Sequence, residues 1–134
     1  MKKSKENKTL TKAEMEIMNY LWEMEEGGTV RDVLSCYSEP QPAYTTTATF
    51  LKILTQKGFV SAEKREKEGK TLFFRPLISR DEYRRQAMEE VKSSFFGGSV
   101  KSLVSFFVKE EHLSEDELKE LLAMVSHSNE REEP

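Results

Sequence analysis

One stretch of this chain, residues 43–60 with the sequence AYTTTATFLKILTQKGFV, has two faces of different character. Its apolar stripe, at positions i, i+3, i+4 and i+7, consists of Thr47, Phe50, Leu51 and Leu54. Lys57 and Gly58 end the pattern, because a cation suits the last turn of a helix and glycine suits the position just beyond it. The spacing predicts a helix over about residues 44–57 with one side packed on a core.

The opposite face of this helix is made of small and mostly polar side chains. It carries Thr45, Thr46, Ala48, Thr49, Lys52, Ile53 and Gln56. Threonine can reach phosphates, base edges and thymine methyl groups, so this face is typical of a recognition helix in the major groove of DNA. The simpler alternative is a solvated surface helix, which shows the same amphipathic pattern. The sequence on either side of this helix is needed to choose between a recognition helix and a solvated surface helix.

Two further helices are predicted before this one. Thr11 and Glu14 form a capping box, and we expect the helix that they open to end at Gly27-Gly28. Its apolar residues are Ile17, Met18, Leu21 and Trp22. Thr29 caps a second, short helix whose inward-facing residues are Val30, Val33, Leu34 and Tyr37. Pro40 and Pro42 then exclude a helix interior.

A β-hairpin is predicted after Gly58. Residues 59–65 form one strand, residues 67–70 have the glycine and polarity of a hairpin tip, and residues 71–75 return to Pro76. Three helices followed by a two-stranded ribbon predict a winged helix, a variant of the helix-turn-helix. The wing, residues 63–71, carries the cations Lys64, Arg65, Lys67 and Lys70, which we expect to contact phosphates. Alternatively these charges only keep the hairpin soluble.

The remainder of the chain predicts three amphipathic helices. Capping boxes at Ser79 and Ser114 open the fourth and sixth helices, and Gly97-Gly98 separates the fourth from the fifth. The apolar positions at helical spacing are Tyr83, Ala87, Val91 and Phe95 in the fourth helix, Val100, Leu103, Val104 and Phe107 in the fifth, and Leu118, Leu121, Leu122 and Val125 in the sixth. Helices of this length enclose little core alone, which favours a dimerisation module; packing within one chain is the alternative.

The charge distribution divides the chain near Pro76. Residues 1–76 carry 13 Lys and Arg against 11 Asp and Glu, whereas residues 77–134 carry 8 against 13. The predicted organisation is therefore a winged-helix domain at 10–77, a helical dimerisation domain at 78–126, and flexible tails at 1–9 and 127–134. The sequence has no apolar run of membrane-spanning length and no signal-peptide h-region, so we expect a cytoplasmic protein.

Other classes of protein find less support in the sequence. Cys36 is the only cysteine, and His112 and His127 have no cysteine or Gly-rich phosphate loop near them. We therefore predict no catalytic residues, no metal site and no cofactor. The stronger alternative is a winged-helix docking module that does not bind DNA, because the predicted recognition face carries few cations.

Three segments together resemble one family, the penicillinase and methicillin-resistance repressors (BlaI/MecI type), which also includes copper-transport repressors. The segments are LTKAEMEIMNYLW, AYTTTATFLKILTQKGFV and GGSVKSLVSFFVKEEHLSEDELKELLAMV. The resemblance extends from Leu10 to Val125 and implies a homodimeric winged-helix repressor bound to a dyad-symmetric operator. By position, it implies that Thr45, Thr46, Ala48, Thr49 and Ile53 face the bases and phosphates.

The chain departs from this family's pattern in three places. Positions 48 and 53 are often arginine in close relatives, and each missing arginine removes a guanine contact worth roughly 1–3 kcal/mol of discrimination. We therefore expect a different operator. Phe106-Phe107 stands where the resistance repressors have an Asn-Phe bond cut by a sensor protease, which argues against cleavage of that bond here. The cysteine-rich tail of the copper-responsive members is also missing, which argues against copper sensing by thiolates.

Overall fold

The structure, a computed structural model, describes residues 9–65 and 71–132, with side chains up to residue 126. It contains six helices and two strands within that part of the chain. In chain order they are α1 Lys12–Glu23, α2 Val30–Leu34, α3 Tyr44–Lys57, β1 Val60–Lys64, β2 Leu72–Pro76, α4 Arg80–Phe96, α5 Val100–Glu110 and α6 Glu115–Glu132. The chain divides into two compact units, Met1–Ala87 and Met88–Pro134.

The predicted beginning of α1 is confirmed, whereas its predicted end is wrong. Glu14 N donates to Thr11 Oγ1 at 3.2 Å, and Thr11 N donates to Glu14 Oε1 at 3.0 Å, which completes the capping box. The helix ends at Glu23, before the two glycines at which we expected it to stop.

Gly27 and Gly28 instead allow a close approach of two backbone segments. Gly28 N donates to Phe74 O at 2.9 Å, and Phe74 N donates to Gly28 O at 2.8 Å, so this segment adds a one-residue bridge beside β2. Gly27 has a φ of 107°, and a Cβ on it would lie 2.1 Å from Phe74 O. Only a residue without a side chain fits there.

The core of the first unit gathers apolar side chains from α1, α2, α3, the hairpin and the beginning of α4. Its buried members are Ile17, Met18, Leu21, Val30, Val33, Leu51, Leu54, Phe59, Val60, Phe74 and Tyr83. Thr29 and Asp32 form a capping box at α2, and Gly58 ends α3 in the left-handed conformation at φ 87°. Each fully buried Leu or Ile of this set contributes about 1.5–3 kcal/mol relative to leaving it exposed.

The two strands pair antiparallel, with Val60 opposite Pro76 and Lys64 opposite Leu72. The hairpin follows directly from α3, because Gly58 reverses the chain and Phe59 and Val60 enter the core. The prediction of a mainly helical chain with a winged helix at its beginning is thereby confirmed. The predicted hairpin tip, residues 67–70, lies outside the described residues.

A buried ion pair joins the first and third helices. The Glu14 side chain is only 4% exposed, and its Oε1 lies 2.8 Å from Lys57 Nζ in the last turn of α3. Burial raises the pKa of Glu14, but hydrogen bonds from Lys57 and from the Thr11 backbone outweigh that effect and leave the pKa below its ordinary value. The carboxylate is therefore charged in the folded protein at neutral pH.

We expect this pair to make the folded state sensitive to acid. Because the folded pKa of Glu14 lies below the unfolded one, its contribution is complete above the ordinary glutamate pKa of about 4.3. This stabilisation is lost as the pH falls through the lower pKa that Glu14 has in the folded protein. Urea denaturation of the wild type and of Glu14→Gln, at about pH 7 and about pH 3.5, should show the larger acid loss in the wild type. Equal losses would contradict the linkage.

The helices of the second half of the chain begin largely as predicted. Ser79 and Glu82 form the predicted capping box at α4, and Ser114 and Glu117 form the one at α6. Gly97 and Gly98, at φ 55° and 81°, end α4. None of the helices between residues 9 and 132 is long and apolar enough to cross a membrane.

The sixth helix is longer than predicted. It runs to Glu132, so residues 127–132 are helical where we expected a flexible tail. The physical reason is that no glycine or proline stands between Ser114 and Pro134, so nothing in this polar segment interrupts the backbone hydrogen bonds. Polarity alone was therefore an insufficient reason to predict disorder.

Candidate nucleic-acid interface

Helix α3 lies on the core with the predicted side. Thr47, Leu51 and Leu54 are buried, whereas Phe50 is only half-buried. Thr45, Thr46, Thr49 and Lys52 are exposed, and Ala48 and Ile53 are half-buried. The predicted phase of the helix is confirmed. The four threonines of this helix therefore differ in exposure: Thr47 is 1% exposed, whereas Thr45, Thr46 and Thr49 are exposed.

Contacts at both ends hold α3 in place. Thr47 Oγ1 donates to Ala43 O at 3.2 Å near the beginning of the helix. At the other end, Lys57 forms the ion pair with Glu14, and Phe59 N donates to Leu54 O at 3.0 Å as the chain turns into the hairpin. The exposed face is thus carried on a rigid element, which favours a binding surface that is formed in advance.

Two arginines of the hairpin segment, Arg65 of the predicted wing and Arg75 of β2, lie beside an aromatic ring. The guanidinium carbon of Arg65 lies 3.6 Å from the centroid of Phe73, and that of Arg75 lies 5.6 Å from the same centroid. Arg75 also pairs with Glu63 across the strands, at 3.1 Å. Lys64 is exposed. Lys67 and Lys70, the other predicted wing cations, lie outside the described residues.

A groove of about 840 Å³ runs between α3 and the hairpin. Its lining is largely apolar and consists of Val30, Tyr44, Ala48, Lys52, Thr55, Gln56, Ala62, Thr71, Leu72 and Phe74. Two of the predicted DNA-contact residues, Ala48 and Lys52, are part of this lining. Ala48 and Ala62 contribute only methyl groups to this lining. The part of the chain that the structure describes contains no cluster of three or more metal-ligating side chains.

Two residues near this face were not among the predicted contacts. Arg31 in α2 places its guanidinium carbon 5.3 Å from the centroid of Tyr44, the first residue of α3. Both side chains are exposed. The sequence does show a positive residue, Arg31, at an outward position of the helix before the recognition helix. It does not show that the side chains of Arg31 and Tyr44 meet.

The second unit has an unusually apolar surface. Between residues 88 and 126 no side chain is buried, and Phe95 and Leu122 are 76% and 67% exposed. The exposed large apolar side chains there are Met88, Phe95, Val100, Val104, Phe106, Phe107, Leu121, Leu122, Met124 and Val125. We call this set the apolar surface. Of the other predicted dimerisation residues, Val91, Leu103 and Leu118 are half-buried.

Tyr83 does not belong with that set. It is 6% exposed, because its ring packs against Phe59 at a centroid distance of 5.8 Å within the first unit. Its hydroxyl accepts a hydrogen bond from Leu10 N at 2.9 Å. We correct the prediction for this residue: contacts within its own chain already cover Tyr83, so it is not available to a second copy.

Comparison with known proteins gives consistent results. The family model described as penicillinase repressor matches residues 10–127. The methicillin resistance regulatory protein MecI of Staphylococcus aureus (strain N315) is 27% identical over 118 residues, which cover 87% of this chain and 94% of that protein. The penicillinase repressor of Bacillus licheniformis is 26% identical over 125 residues, covering 92% of this chain and 95% of that protein.

A solved structure is also similar in part. It is the crystal structure of MepR, a transcription regulator of the Staphylococcus aureus multidrug efflux pump MepA. The match has 17% sequence identity and a TM-score of 0.48, and it covers 98% of this chain and 86% of that one.

Proposed function

The chain belongs to the penicillinase repressor family, and on that premise we propose that it represses transcription by binding a dyad-symmetric operator as a homodimer. Helix α3 enters the major groove, the wing contacts the phosphate backbone, and the second unit joins two copies. The protein acts in the bacterial cytoplasm, where its operator would lie.

The observation that carries this proposal is the division of α3 into a buried side and an outward threonine face. Thr45, Thr46 and Thr49 are exposed on a helix whose other side is fixed in the core. Helix-turn-helix proteins place the N-terminal residues of the second helix against base edges, which is where these three threonines stand. Their hydroxyl and methyl groups suit both phosphate contacts and thymine methyl groups.

Alanine at position 48 and isoleucine at position 53 shape the specificity of this surface. Ala48 offers only a methyl group and Ile53 only an apolar side chain, and both are half-buried. Neither can make the bidentate hydrogen bonds by which arginine reads guanine. We propose that the operator contains thymine-rich steps where the operators of arginine-bearing relatives contain guanine.

The wing supplies contacts that do not depend on sequence. The contact with the ring of Phe73 already restricts the Arg65 side chain in the free protein. Less side-chain entropy is therefore lost when Arg65 binds a phosphate. Lys64 stands exposed beside it on the same strand end. Together with Lys67 and Lys70 of the predicted wing, these cations would neutralise phosphates and release counterions, which gives affinity that decreases with salt.

A second copy of the chain is the proposed partner of the apolar surface. Contiguous exposed apolar patches of more than a few hundred Å² are rare on proteins that act as monomers. In a symmetric dimer the same surface on both copies would be covered at once. Each dimer then presents two α3 helices, whose half-sites lie about one helical turn, roughly 34–36 Å, apart or at a multiple of that distance.

Relief of repression by a sensor protease would require a bond in α5 that the protease can cut. Phe106 and Phe107 occupy the place of the Asn-Phe bond in α5, with ring centroids 5.6 Å apart. We propose that a protease specific for Asn-Phe leaves this bond intact, so repression is relieved by another signal. The chain should stay full-length after exposure to such a protease.

The alternative is a docking module that uses the same fold without binding DNA. Fluorescence anisotropy with the duplex upstream of the protein's own gene, at about 0.1 M and about 0.3 M salt, separates the two. A repressor should bind that duplex tightly, lose affinity steeply with salt, and resist an excess of random DNA. Absence of duplex binding at either salt concentration, with other upstream regions included, would favour the docking module.

Thr46→Ala and Thr49→Ala should each weaken operator binding by roughly tenfold in a dimer that carries two copies of the change. Neither should lower the melting temperature measurably, because both side chains are exposed. Thr47→Ala is the matched control: the same substitution in the same helix removes a buried methyl group and the hydrogen bond to Ala43 O. It should lower the melting temperature instead. If all three variants behaved alike, the outward face would not be the contact surface.

A further inference from the structure

We propose that Arg31 is a further phosphate contact of this surface and that Tyr44 is the residue that positions it. This inference rests on the proposed function, since it assigns a residue to DNA binding. It concerns a side chain of α2, outside both the recognition helix and the wing.

The geometry joins two exposed side chains from consecutive helices. The guanidinium carbon of Arg31 lies 5.3 Å from the centroid of the Tyr44 ring, within the distance at which a cation and an aromatic face attract each other. Tyr44 is the first residue of α3 and is 46% exposed. The ring face supports the arginine beside the first turn of α3.

The charge of Arg31 is available for an external anion. Within the described residues, no carboxylate lies within ion-pair distance of its guanidinium. The adjacent acid, Asp32, already accepts a hydrogen bond from Thr29 N at 2.9 Å in the capping box. Helix α3 has two basic side chains, Lys52 and Lys57, and Lys57 is already paired with Glu14. Within the described part of the chain, Arg31 thus has an aromatic neighbour but no carboxylate partner, which leaves its guanidinium able to donate to an external anion.

The position of α2 indicates which anion it meets. In helix-turn-helix proteins the first helix of the pair crosses the DNA backbone while the second enters the major groove. A guanidinium on α2 beside the first turn of α3 therefore lies nearer a phosphate than a base. The planar fork of arginine matches phosphate with two parallel hydrogen bonds, which a lysine cannot reproduce. This contact adds affinity without replacing the guanine recognition that arginine at positions 48 and 53 would give.

The test is the salt dependence of operator affinity for the full chain. In Arg31→Gln the slope of log affinity against log salt should fall by about 0.9 for each protomer, and affinity at about 0.1 M salt by at least tenfold per dimer. Affinity for random duplex should fall by a similar factor, because a phosphate contact does not read sequence. Tyr44→Phe, which keeps the ring, should leave both quantities unchanged, and Tyr44→Ala should reduce affinity with a smaller change of slope.

Lys101→Gln provides the control for net charge. This lysine is exposed on α5 in the second unit, so the variant loses one positive charge from the unit that does not carry the proposed contact. A slope change in Arg31→Gln no larger than that in Lys101→Gln would overturn the assignment. A change in the preferred operator sequence would also overturn it, in favour of a base contact. If the wild-type chain itself bound no duplex, the proposed function would fail, which is a distinguishable result.

Discussion

Replacing Val104 and Leu122 together by glutamate is expected to dissociate the proposed dimer and to lower operator affinity by about a hundredfold or more. Both side chains are more than half exposed in one chain, so the change should not disturb the fold of the single copy. In the dimer the same glutamates would be desolvated against apolar partners, at a cost of several kcal/mol. Loss of the second half-site then removes the bivalent gain in affinity, which is typically 10²–10⁴.

The control for this experiment places the same two charges on the opposite sides of the same helices. Ser105 and Ala123 are both exposed, and each lies away from the apolar stripe of its helix by helical periodicity. Ser105→Glu with Ala123→Glu should remain dimeric and bind the operator normally. Light scattering coupled to gel filtration gives the mass, and anisotropy gives the affinity. If the Val104/Leu122 variant stayed dimeric, the interface would lie elsewhere on the chain.

Lys57→Met is expected to lower the free energy of unfolding of the first unit by about 3 kcal/mol, near the lower end of the range for breaking a buried ion pair. The reason is that the substitution leaves the Glu14 carboxylate charged and without its cation, on a side chain that is 4% exposed. The remaining hydrogen bond from Thr11 N offsets only part of that cost. Since a small domain is stable by about 5–15 kcal/mol, this is a large fraction of the total.

Two further variants make this expectation specific. Glu14→Gln combined with Lys57→Met removes both charges and keeps an oxygen that can accept from Thr11 N, so it should recover part of the lost stability. Arg84→Met breaks the exposed pair with Asp81 in α4, which should cost less than about 0.5 kcal/mol. Urea denaturation measures all three. A cost for Lys57→Met as small as that for Arg84→Met would show that water screens the Glu14–Lys57 pair.

The Glu14–Lys57 pair shows where inference from the sequence reached its limit. Glu14 was predicted only as a member of the capping box of α1, and Lys57 only as a favourable cation at the end of α3. Both roles are local, since a cap depends on residues three or four positions apart. That the two side chains meet across 43 positions of sequence depends on how α1 and α3 pack. The same holds for Arg31 and Tyr44, which belong to different helices.

Gly27 and Gly28 illustrate the opposite error. Two consecutive glycines usually end a helix, and that local expectation placed the end of α1 four positions too late. Their actual role is set by Phe74, almost fifty positions later, whose backbone hydrogen-bonds with Gly28 and whose carbonyl oxygen comes too close to Gly27 for any side chain. Tyr83 was misassigned for a similar reason. Its helical spacing groups it with Phe95, but the fold places one in a core and leaves the other exposed.

The beginnings of α1, α2, α4 and α6, the phase of α3 and the hairpin that follows it could all be predicted from the amino-acid sequence. Capping residues, helical periodicity and turn glycines act over a few positions, so they can be read from the order of residues alone. Which charges are paired, which glycine admits a neighbouring backbone and which apolar side chains remain exposed became visible only in the folded chain. These features arise between segments distant in the chain, where packing and desolvation, rather than local conformational preference, dominate the free energy.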